Sequence, residues 1–172
     1  VAEEMVLLES YAMKTRDRRY REIASQYLQL PDTLPSSVRK LTNSLLEEEM
    51  TPYQKACAIA DWLEENCSYS LTPEEPPADR DFVEWFLETR EGYCTYYASA
   101  MTVMARCAGI PARYVSGFGL RETELKDWYY VSEATGHAWA ELYFSGIGWV
   151  TFDALGWSTE NKNLRPEPLV RQ

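Results

Sequence analysis

An apolar stretch runs from Cys94 to Ala108, and Arg106 is the only charged residue within it. Its apolar side chains recur at helical spacing and cover nearly every face, which is typical of a helix in the middle of a domain. Gly92 just before the stretch and Gly109 just after it are common helix-boundary residues. The pattern therefore predicts a buried central helix that begins at or just before Cys94.

Shorter segments upstream show the same helical period, and boundary residues divide them. The first half of the chain is therefore predicted to be mainly helical. The predicted elements, in order, are a helical region over residues 3–30, a short helix capped by Ser36-Ser37, a helix from Thr51-Pro52 to about Asn66, an extended piece at Ser68–Leu71, a loop with three prolines at Thr72–Arg80, and a brief helix capped by Asp81.

After Pro111 the apolar positions recur with a period of two, which is typical of half-buried strands. The pattern predicts strands at Arg113–Phe118, Trp128–Ser132, His137–Phe144 and Trp149–Asp153, with a polar loop at Leu120–Asp127. Helices followed by antiparallel strands indicate an α+β domain.

The last two predicted strands form a hairpin whose register is decided by burial. Placing the apolar side chains of both strands on one face sets Leu142 opposite Val150, and a slip of one residue would scramble both faces. His137 then lies diagonal to Asp153 on the other face, at roughly 7–8 Å between backbones. A carboxylate there would orient the imidazole and support its charged form. A half-buried pair without chemistry is the alternative, which Trp139 on the same face makes less favourable.

Composition and charge narrow the class of protein. The 172 residues are 45 % hydrophobic, enough for one domain with a substantial core. A formal net charge of −10 argues against a nucleic-acid backbone or an anionic membrane surface as partner. The sequence has no apolar run of membrane-spanning length and no signal-peptide pattern. Because it opens on Val1, we expect it to be a piece of a longer protein.

The cysteine and histidine content gives no support for a metal site or another cofactor. The four cysteines form no Cys-x-x-Cys pair, and His137 is the single histidine. Cys57 and Cys67 fall about 15 Å apart on one predicted helix, too far for a disulfide. Cys57, Cys67 and Cys107 are therefore interpreted as core thiols, and no cofactor is predicted.

Cys94 differs from the other cysteines because it opens the central helix. The macrodipole and the free N–H groups at a helix start favour a thiolate, and the same N–H groups can stabilise an oxyanion. With His137 as the base and Asp153 behind it, Cys94 completes a Cys-His-Asp arrangement for nucleophilic catalysis. Taken alone, Cys94 would be better explained as one more small buried residue, and the rest of the chain favours the catalytic interpretation.

Several motifs carry a resemblance to a known family. They are Gly92-Tyr93-Cys94-Thr95-Tyr96-Tyr97-Ala98-Ser99-Ala100, the segment from Arg106 to Gly117, Gly136-His137-Ala138-Trp139-Ala140-Glu141 and Gly148-Trp149-Val150-Thr151-Phe152-Asp153. In order and content they resemble the core of the transglutaminase-like superfamily. The segments upstream, from Tyr27 to Leu87, are similar to its bacterial, membrane-anchored, extracytoplasmic branch.

The resemblance implies a papain-like α+β fold, in which N-terminal helices and a central buried helix pack on an antiparallel sheet. It implies Cys94 as nucleophile, His137 as base and Asp153 as third member of a triad. It also implies a second oxyanion donor upstream of the cysteine, for which Tyr69 is our candidate. Tyr93, Tyr96 and Trp85 are the alternatives to Tyr69. Ala154 follows Asp153 where the family usually has proline, a difference that alters a turn more than the chemistry.

The resemblance further implies a parent protein with transmembrane helices and a location at the extracytoplasmic face of a bacterial cell membrane. We expect an N-terminal helical segment at residues 1–50, a catalytic core at 51–158 and a tail or linker at 159–172. The predicted function is thiol acyl transfer, in which the cysteine attacks a glutamine or peptide amide and the thioester passes to an amine or to water. The alternatives are a cysteine peptidase or amidase acting on cell-surface or cell-wall peptides, and a catalytically silent protein-binding domain.

The expected partner is a protein or peptide substrate. No nucleic acid is expected, and a membrane is expected only through segments absent from this chain. The sequence leaves the oligomeric state open.

Overall fold

The structure, a computed structural model, describes residues 18–118, 121–122, 129–130 and 136–155. Its helices are α1 (Arg18–Tyr27), α2 (Ser36–Ser44), α3 (Pro52–Asn66), α4 (Phe82–Thr89) and α5 (Cys94–Cys107). Its strands are β1 (Ser68–Tyr69), β2 (Glu91–Gly92), β3 (Ala112–Phe118), β4 (Arg121–Glu122), β5 (Tyr129–Tyr130), β6 (Gly136–Phe144) and β7 (Gly148–Phe152). The helices predicted before residue 18 and the tail predicted at 159–172 lie outside the described residues, so the division into three segments stays a prediction.

The central sheet is antiparallel, with strand order β3-β6-β7. In the β6–β7 hairpin Leu142 pairs with Val150, so the register predicted from burial is confirmed. Tyr129–Tyr130 pairs with Arg121–Glu122 in a separate antiparallel ladder. The loop predicted at Leu120–Asp127 is therefore wrong at Arg121–Glu122, because a strand of two residues is too short to show a period.

Helix α5 lies on this sheet, and its length is matched to that of β3. The helix has 14 residues and rises about 21 Å, whereas β3 has seven residues and spans about 23 Å. Gly109, with φ of +80°, reverses the chain between them, and Ile110 N–H bonds to the Ala105 carbonyl at 2.9 Å. The strand therefore runs back along the helix, which brings Phe118 level with Cys94.

The other helices show how far local sequence decides a helix start. Thr51 caps α3 through a capping box with Gln54, and Asp81 caps α4 by accepting two backbone N–H bonds, both as predicted. The cap predicted at Ser36-Ser37 is wrong, because the N-cap of α2 is Pro35 and it makes no side-chain cap hydrogen bond. The Ser37 hydroxyl instead donates to the Glu84 carboxylate on α4. Because these residues are far apart in the sequence, no local pattern predicts this contact.

The core is continuous between the helices and the sheet. The largest fully buried side chains come from α2, α3, α4, α5, the turn before β3, and the β6–β7 hairpin. Within the described residues no helix is long and apolar enough to cross a membrane. The α+β architecture with a central helix on an antiparallel sheet is confirmed.

Candidate active site

Cys94 is the first residue of α5, as the sequence predicts. The preceding Tyr93 is extended (φ −109°, ψ −174°) and its side chain makes no capping hydrogen bond. The Tyr93 side chain therefore does not cap the backbone N–H groups of the first turn, and the positive end of the helix dipole lies at the thiol. This is the environment in which a thiolate or an oxyanion is stabilised.

His137 lies near the start of β6 and contacts Asp153 just beyond the end of β7. The distance from His137 Nε2 to Asp153 Oδ2 is 2.5 Å, and Asp153 Oδ1 accepts the Leu155 N–H at 3.2 Å. Both carboxylate oxygens are thus occupied, which fixes the orientation of the imidazole. Because Nε2 faces the aspartate, Nδ1 is the ring nitrogen left to exchange a proton with another group.

Cys94 and His137 line the same cleft, which has a volume of about 760 Å³. Its walls come from the segment around Tyr69, the start of α5, the second half of β3 and the first residues of β6. Asp153 does not line the cleft and lies behind His137. The structure therefore brings the three residues predicted as a triad to one site, with the thiol and the imidazole on the cleft walls and the carboxylate orienting the imidazole.

Tyr69 also lines this cleft, and a two-residue parallel ladder holds it there. Ser68 N–H bonds to the Arg90 carbonyl at 2.8 Å, and Ser70 N–H bonds to the Gly92 carbonyl at 2.9 Å. The ladder pairs Tyr69 with Gly92, two residues before Cys94. Such close attachment to the strand that leads into α5 is what an oxyanion donor upstream of the nucleophile requires.

The alternatives to Tyr69 do not all reach the cleft. Tyr93 lines it, whereas Tyr96 and Trp85 do not. Tyr96 is buried against Phe82 and Phe86, and Trp85 Nε1 donates to the Glu74 carbonyl at 3.1 Å. Of the four candidates named from the sequence, Tyr69 and Tyr93 are therefore the two that line the cleft.

Trp139 flanks the imidazole of His137. The two rings are stacked, with centroids 6.1 Å apart and an interplanar angle of 25°. The indole lies over Gly117, the strand partner of His137, where an added Cβ would be 3.1 Å from Trp139 Cη2. The absence of a side chain at Gly117 thus gives the indole room beside His137.

Arg113 and Glu141 form an ion pair on the same face of the sheet, two residues beyond Trp139. Arg113 Nε donates to Glu141 Oε2 at 2.7 Å, and its guanidinium lies over the ring of Trp149 at 4.1 Å from the centroid. Arg113 therefore neutralises the Glu141 carboxylate, which lies on the same face of the sheet as His137.

The other three cysteines form no disulfide and pack against the core. Burial raises the pKa of Cys67 to about 11, which the positive charge of Arg90 partly opposes, and burial also raises the pKa of Cys107. These thiols are suited to packing rather than to nucleophilic chemistry, as predicted. No cluster of three or more metal-ligating side chains occurs among the described residues.

Three large apolar wall residues were not predicted as part of the site, namely Leu71, Tyr114 and Phe118. For the last two the signal lies in β3, where Tyr114, Ser116 and Phe118 share one face by the strand period. Apolar side chains on a strand face favour a core position, and only the tertiary structure shows that this face is exposed.

A buried helix with a cysteine at its start, packed on an antiparallel sheet that carries a His–Asp pair across a cleft, defines the papain-like class of α+β folds. Within that class the chain belongs to the transglutaminase-like superfamily, whose family model matches residues 39–154. The resemblance seen in the sequence motifs is thereby confirmed.

Two curated relatives are similar over most of the chain. An uncharacterised protein of Bacillus subtilis, YebA, is 40 % identical over 76 % of this chain. A protein-glutamine gamma-glutamyltransferase of Pseudomonas aeruginosa is 34 % identical over 73 % of it. The chain spans 19 % of the length of each of these relatives.

Two solved structures share the fold. The periplasmic domain of TgpA from Pseudomonas aeruginosa superimposes with a TM-score of 0.70 at 32 % identity, covering 79 % of this chain and 48 % of that one. A candidate cysteine protease from Cytophaga hutchinsonii gives a TM-score of 0.56 at 25 % identity, covering 75 % of this chain and 40 % of that one. The papain-like, transglutaminase-core fold predicted from the sequence is confirmed.

Proposed function

We propose that this chain is the catalytic domain of a thiol acyltransferase that uses Cys94, His137 and Asp153 as a triad. The observation that carries the proposal is the 2.5 Å contact between His137 Nε2 and Asp153 Oδ2, beside a cleft that both His137 and Cys94 line. A carboxylate that fixes the imidazole, and a thiol at a helix start, are the parts that nucleophilic acyl transfer requires.

In the first half-reaction His137 Nδ1 accepts the proton of the Cys94 thiol, and the sulfur attacks the carbonyl carbon of a glutamine side chain. The carbonyl oxygen becomes an oxyanion that the backbone N–H of Cys94 and the hydroxyl of Tyr69 stabilise. His137 then gives its proton to the departing nitrogen, the C–N bond breaks, and ammonia leaves. The product is a thioester on Cys94.

In the second half-reaction an acceptor attacks the thioester, and His137 takes its proton and returns it to the sulfur. A primary amine gives a crosslinked amide, whereas water gives hydrolysis. Similarity to a protein-glutamine gamma-glutamyltransferase favours the amine as acceptor. Similarity to a candidate cysteine protease supports a second function, the hydrolysis of a peptide amide through the same thioester.

We further propose that the site operates outside the cytoplasm, at the surface of a bacterial cell membrane. The support is the likeness to a periplasmic domain, of which this chain covers 48 %. Because the chain spans 19 % of the length of its curated relatives, we propose that any membrane anchor belongs to the rest of a longer parent protein.

Turnover of a glutamine peptide in the presence of a fluorescent primary amine tests this function. We expect release of ammonia and a peptide carrying the amine, detected by mass spectrometry, with glutamate as the product when the amine is left out. Cys94→Ala should abolish both products. Cys107→Ala, which removes a thiol at the other end of the same helix, should retain them. Product formation by Cys94→Ala would overturn the proposal.

The wild type and its variants also distinguish the proposed enzyme from a catalytically silent protein-binding domain. A silent domain would show no turnover with any acceptor, and iodoacetamide would alkylate Cys94 no faster in the wild type than in His137→Ala. The triad predicts fast alkylation of Cys94 that is lost with His137.

A further inference from the structure

The large apolar side chains that the structure exposes are concentrated at one place. Tyr69, Leu71, Tyr114 and Phe118 have relative exposures of 54, 74, 42 and 59 % and are the large hydrophobic residues exposed among those described. All four line the cleft that contains Cys94. Contiguous exposed apolar surface around convergent polar groups marks a binding site, whereas scattered single residues do not.

Two of these side chains come from β3, which is an edge strand of the central sheet. On one face of β3, Ala112 is buried, whereas Tyr114, Ser116 and Phe118 are exposed. Leu71 follows the β1 ladder on the side that also carries Tyr69. The cleft therefore has an apolar strand face on one side and apolar side chains from a second segment on another.

Among the described residues, the walls of the cleft carry no carboxylate, ammonium or guanidinium group. None of the described residues that line it is Asp, Glu, Lys or Arg, although the chain as a whole has a formal net charge of −10. A charged side chain lying against these walls would lose hydration without gaining a partner. An apolar side chain would gain by leaving water.

We propose that the acyl donor is an extended peptide that places a large apolar or aromatic side chain within two residues of the reactive glutamine, against Phe118 and Tyr114. The inference rests on the proposed function and names its substrate class. Phe118 lines the same cleft as Cys94 and His137, so a side chain that touches Phe118 lies in the cleft that receives the reacting amide. Successive side chains on one face of an extended peptide are two residues apart, so the residue two positions from the glutamine is the nearest that faces the same way. Charged cell-wall peptides are disfavoured.

Binding to the Cys94→Ala variant tests this preference without depending on turnover. The probes are fluorescein-labelled peptides of the form X-Gly-Gln-Gly-X in which X is Phe, Ser or Asp, and fluorescence anisotropy gives the affinity. We expect the Phe peptide to bind about tenfold or more tightly than the Ser peptide, and the Asp peptide to bind more weakly still. In Phe118→Ser, made in the same background, the preference for Phe should fall to about twofold or less.

Lys40→Ser is the control, because Lys40 is exposed on α2 and does not line the cleft. It should keep the full preference for Phe. Equal affinity for the Phe and Ser peptides, tighter binding of the Asp peptide, or a preference that survives in both Phe118→Ser and Tyr114→Ser would overturn the inference. Wild-type turnover of the same peptides separates the two proposals. A preference for the Phe peptide without turnover would support the inferred binding preference and overturn the proposed function. Turnover without that preference would support the proposed function and overturn the inference.

Discussion

At the scale of single residues, His137 is held from two directions. Asp153 fixes its Nε2 in the plane of the ring, and the indole of Trp139 lies beside the face of the ring. The first restraint follows from the hairpin register, so the sequence predicts it. The contact with Trp139 depends on the space above Gly117, which pairs with His137 in the sheet. No local sequence pattern predicts such a space.

Gly117→Ala should lower activity more than stability. The new Cβ would lie 3.1 Å from Trp139 Cη2, so the indole must move, and the ring stacked on it loses its support. We expect kcat to fall about tenfold or more, with the free energy of unfolding lowered by about 1 kcal/mol.

The double variant Gly117→Ala/Trp139→Phe controls this prediction. The smaller ring of phenylalanine leaves room for the added methyl group, so the two substitutions should be non-additive in kcat. Additive losses would show that Gly117 acts on activity by another route.

Cys67 should resist alkylation in the folded protein. Burial raises its pKa to about 11. A raised pKa means less thiolate at a given pH, and with this value only about one molecule in a thousand carries the thiolate at pH 8. Iodoacetamide at pH 8 should therefore leave Cys67 unmodified on the timescale that labels free cysteine, as measured by peptide mass mapping. The same protein in concentrated urea provides the control, in which Cys67 should label fully. Rapid labelling of Cys67 in the folded state would show that the thiol is not held in this buried position.

The second oxyanion donor shows where sequence reasoning at the residue scale ends. The sequence offers Tyr69 as the candidate donor, with Tyr93, Tyr96 and Trp85 as the alternatives. The structure removes Tyr96 and Trp85 from the cleft wall because one is packed in the core and the other donates to a backbone carbonyl. Which side chain is buried depends on α4 packing against α5, and that packing is a tertiary property.

At the scale of secondary-structure elements, the start of α5 is closely packed against its neighbours. Gly92 pairs with Tyr69 in the ladder, and an added Cβ there would lie 2.5 Å from Tyr96 Cβ and 2.6 Å from its Cγ. Tyr96 cannot withdraw, because its ring is packed between Phe82 and Phe86. The glycine is required for space, since its φ is not among the positive values.

Gly92→Ala should therefore destabilise the protein by about 2–3 kcal/mol, as overpacking against a fixed side chain does. Chemical denaturation in urea measures the change. Gly109→Ala is the matched control at the other end of α5. Its φ is +80° but nothing lies within 4 Å of the added Cβ, so only backbone strain of about 1 kcal/mol is expected. A larger loss in Gly109→Ala than in Gly92→Ala would contradict this account.

The elements predicted correctly are those whose signals are local. The caps of α3 and α4 and the register of the β6–β7 hairpin depend on residues close together in the sequence. The β1–β2 ladder joins residues more than twenty positions apart through two pairs, and its strands are too short to have a period. The extended piece at Ser68–Leu71 was therefore predictable, but its pairing with Glu91–Gly92 was not.

At the scale of the whole molecule, Arg106 links three parts of the fold. From α5 its Nε donates to the Ala112 carbonyl at 2.9 Å, and its Nη1 donates to the Gln29 carbonyl, beyond α1, at 2.7 Å. Burial lowers its pKa, which reflects the cost of placing the guanidinium there. Sequence analysis identified Arg106 as the one charge in an apolar helix, but its partners became visible only once the chain after α1 was positioned.

Arg106→Met should lower the free energy of unfolding by about 2–3 kcal/mol, because two carbonyl groups lose a charged donor. It should also loosen the segment between α1 and α2, so that limited proteolysis cuts between residues 28 and 35 before it cuts the core. Arg18→Met is the control. The side chains of Arg18 and its partner Glu22 are 89 % and 62 % exposed, and loss of such a pair costs about 0.5 kcal/mol or less. Equal protease sensitivity of the two variants would rule out this linking role.

The ladder between β1 and β2 has a consequence for how this fold can vary. Its hydrogen bonds hold the chain near Ser70 and the chain near Arg90 together beside the cleft, so the residues between them form a closed loop. Within that loop, Asp81 and the residues after it are fixed separately by α4. Glu74 is held by a hydrogen bond from Trp85, and Arg80 is held by Glu88, so residues 75–79 between them can change in length or carry an inserted sequence with both anchor points unmoved. Lineages sharing this core could acquire different recognition loops here, and an experimenter could place an affinity tag or a reporter peptide at the same position without disturbing the thiol.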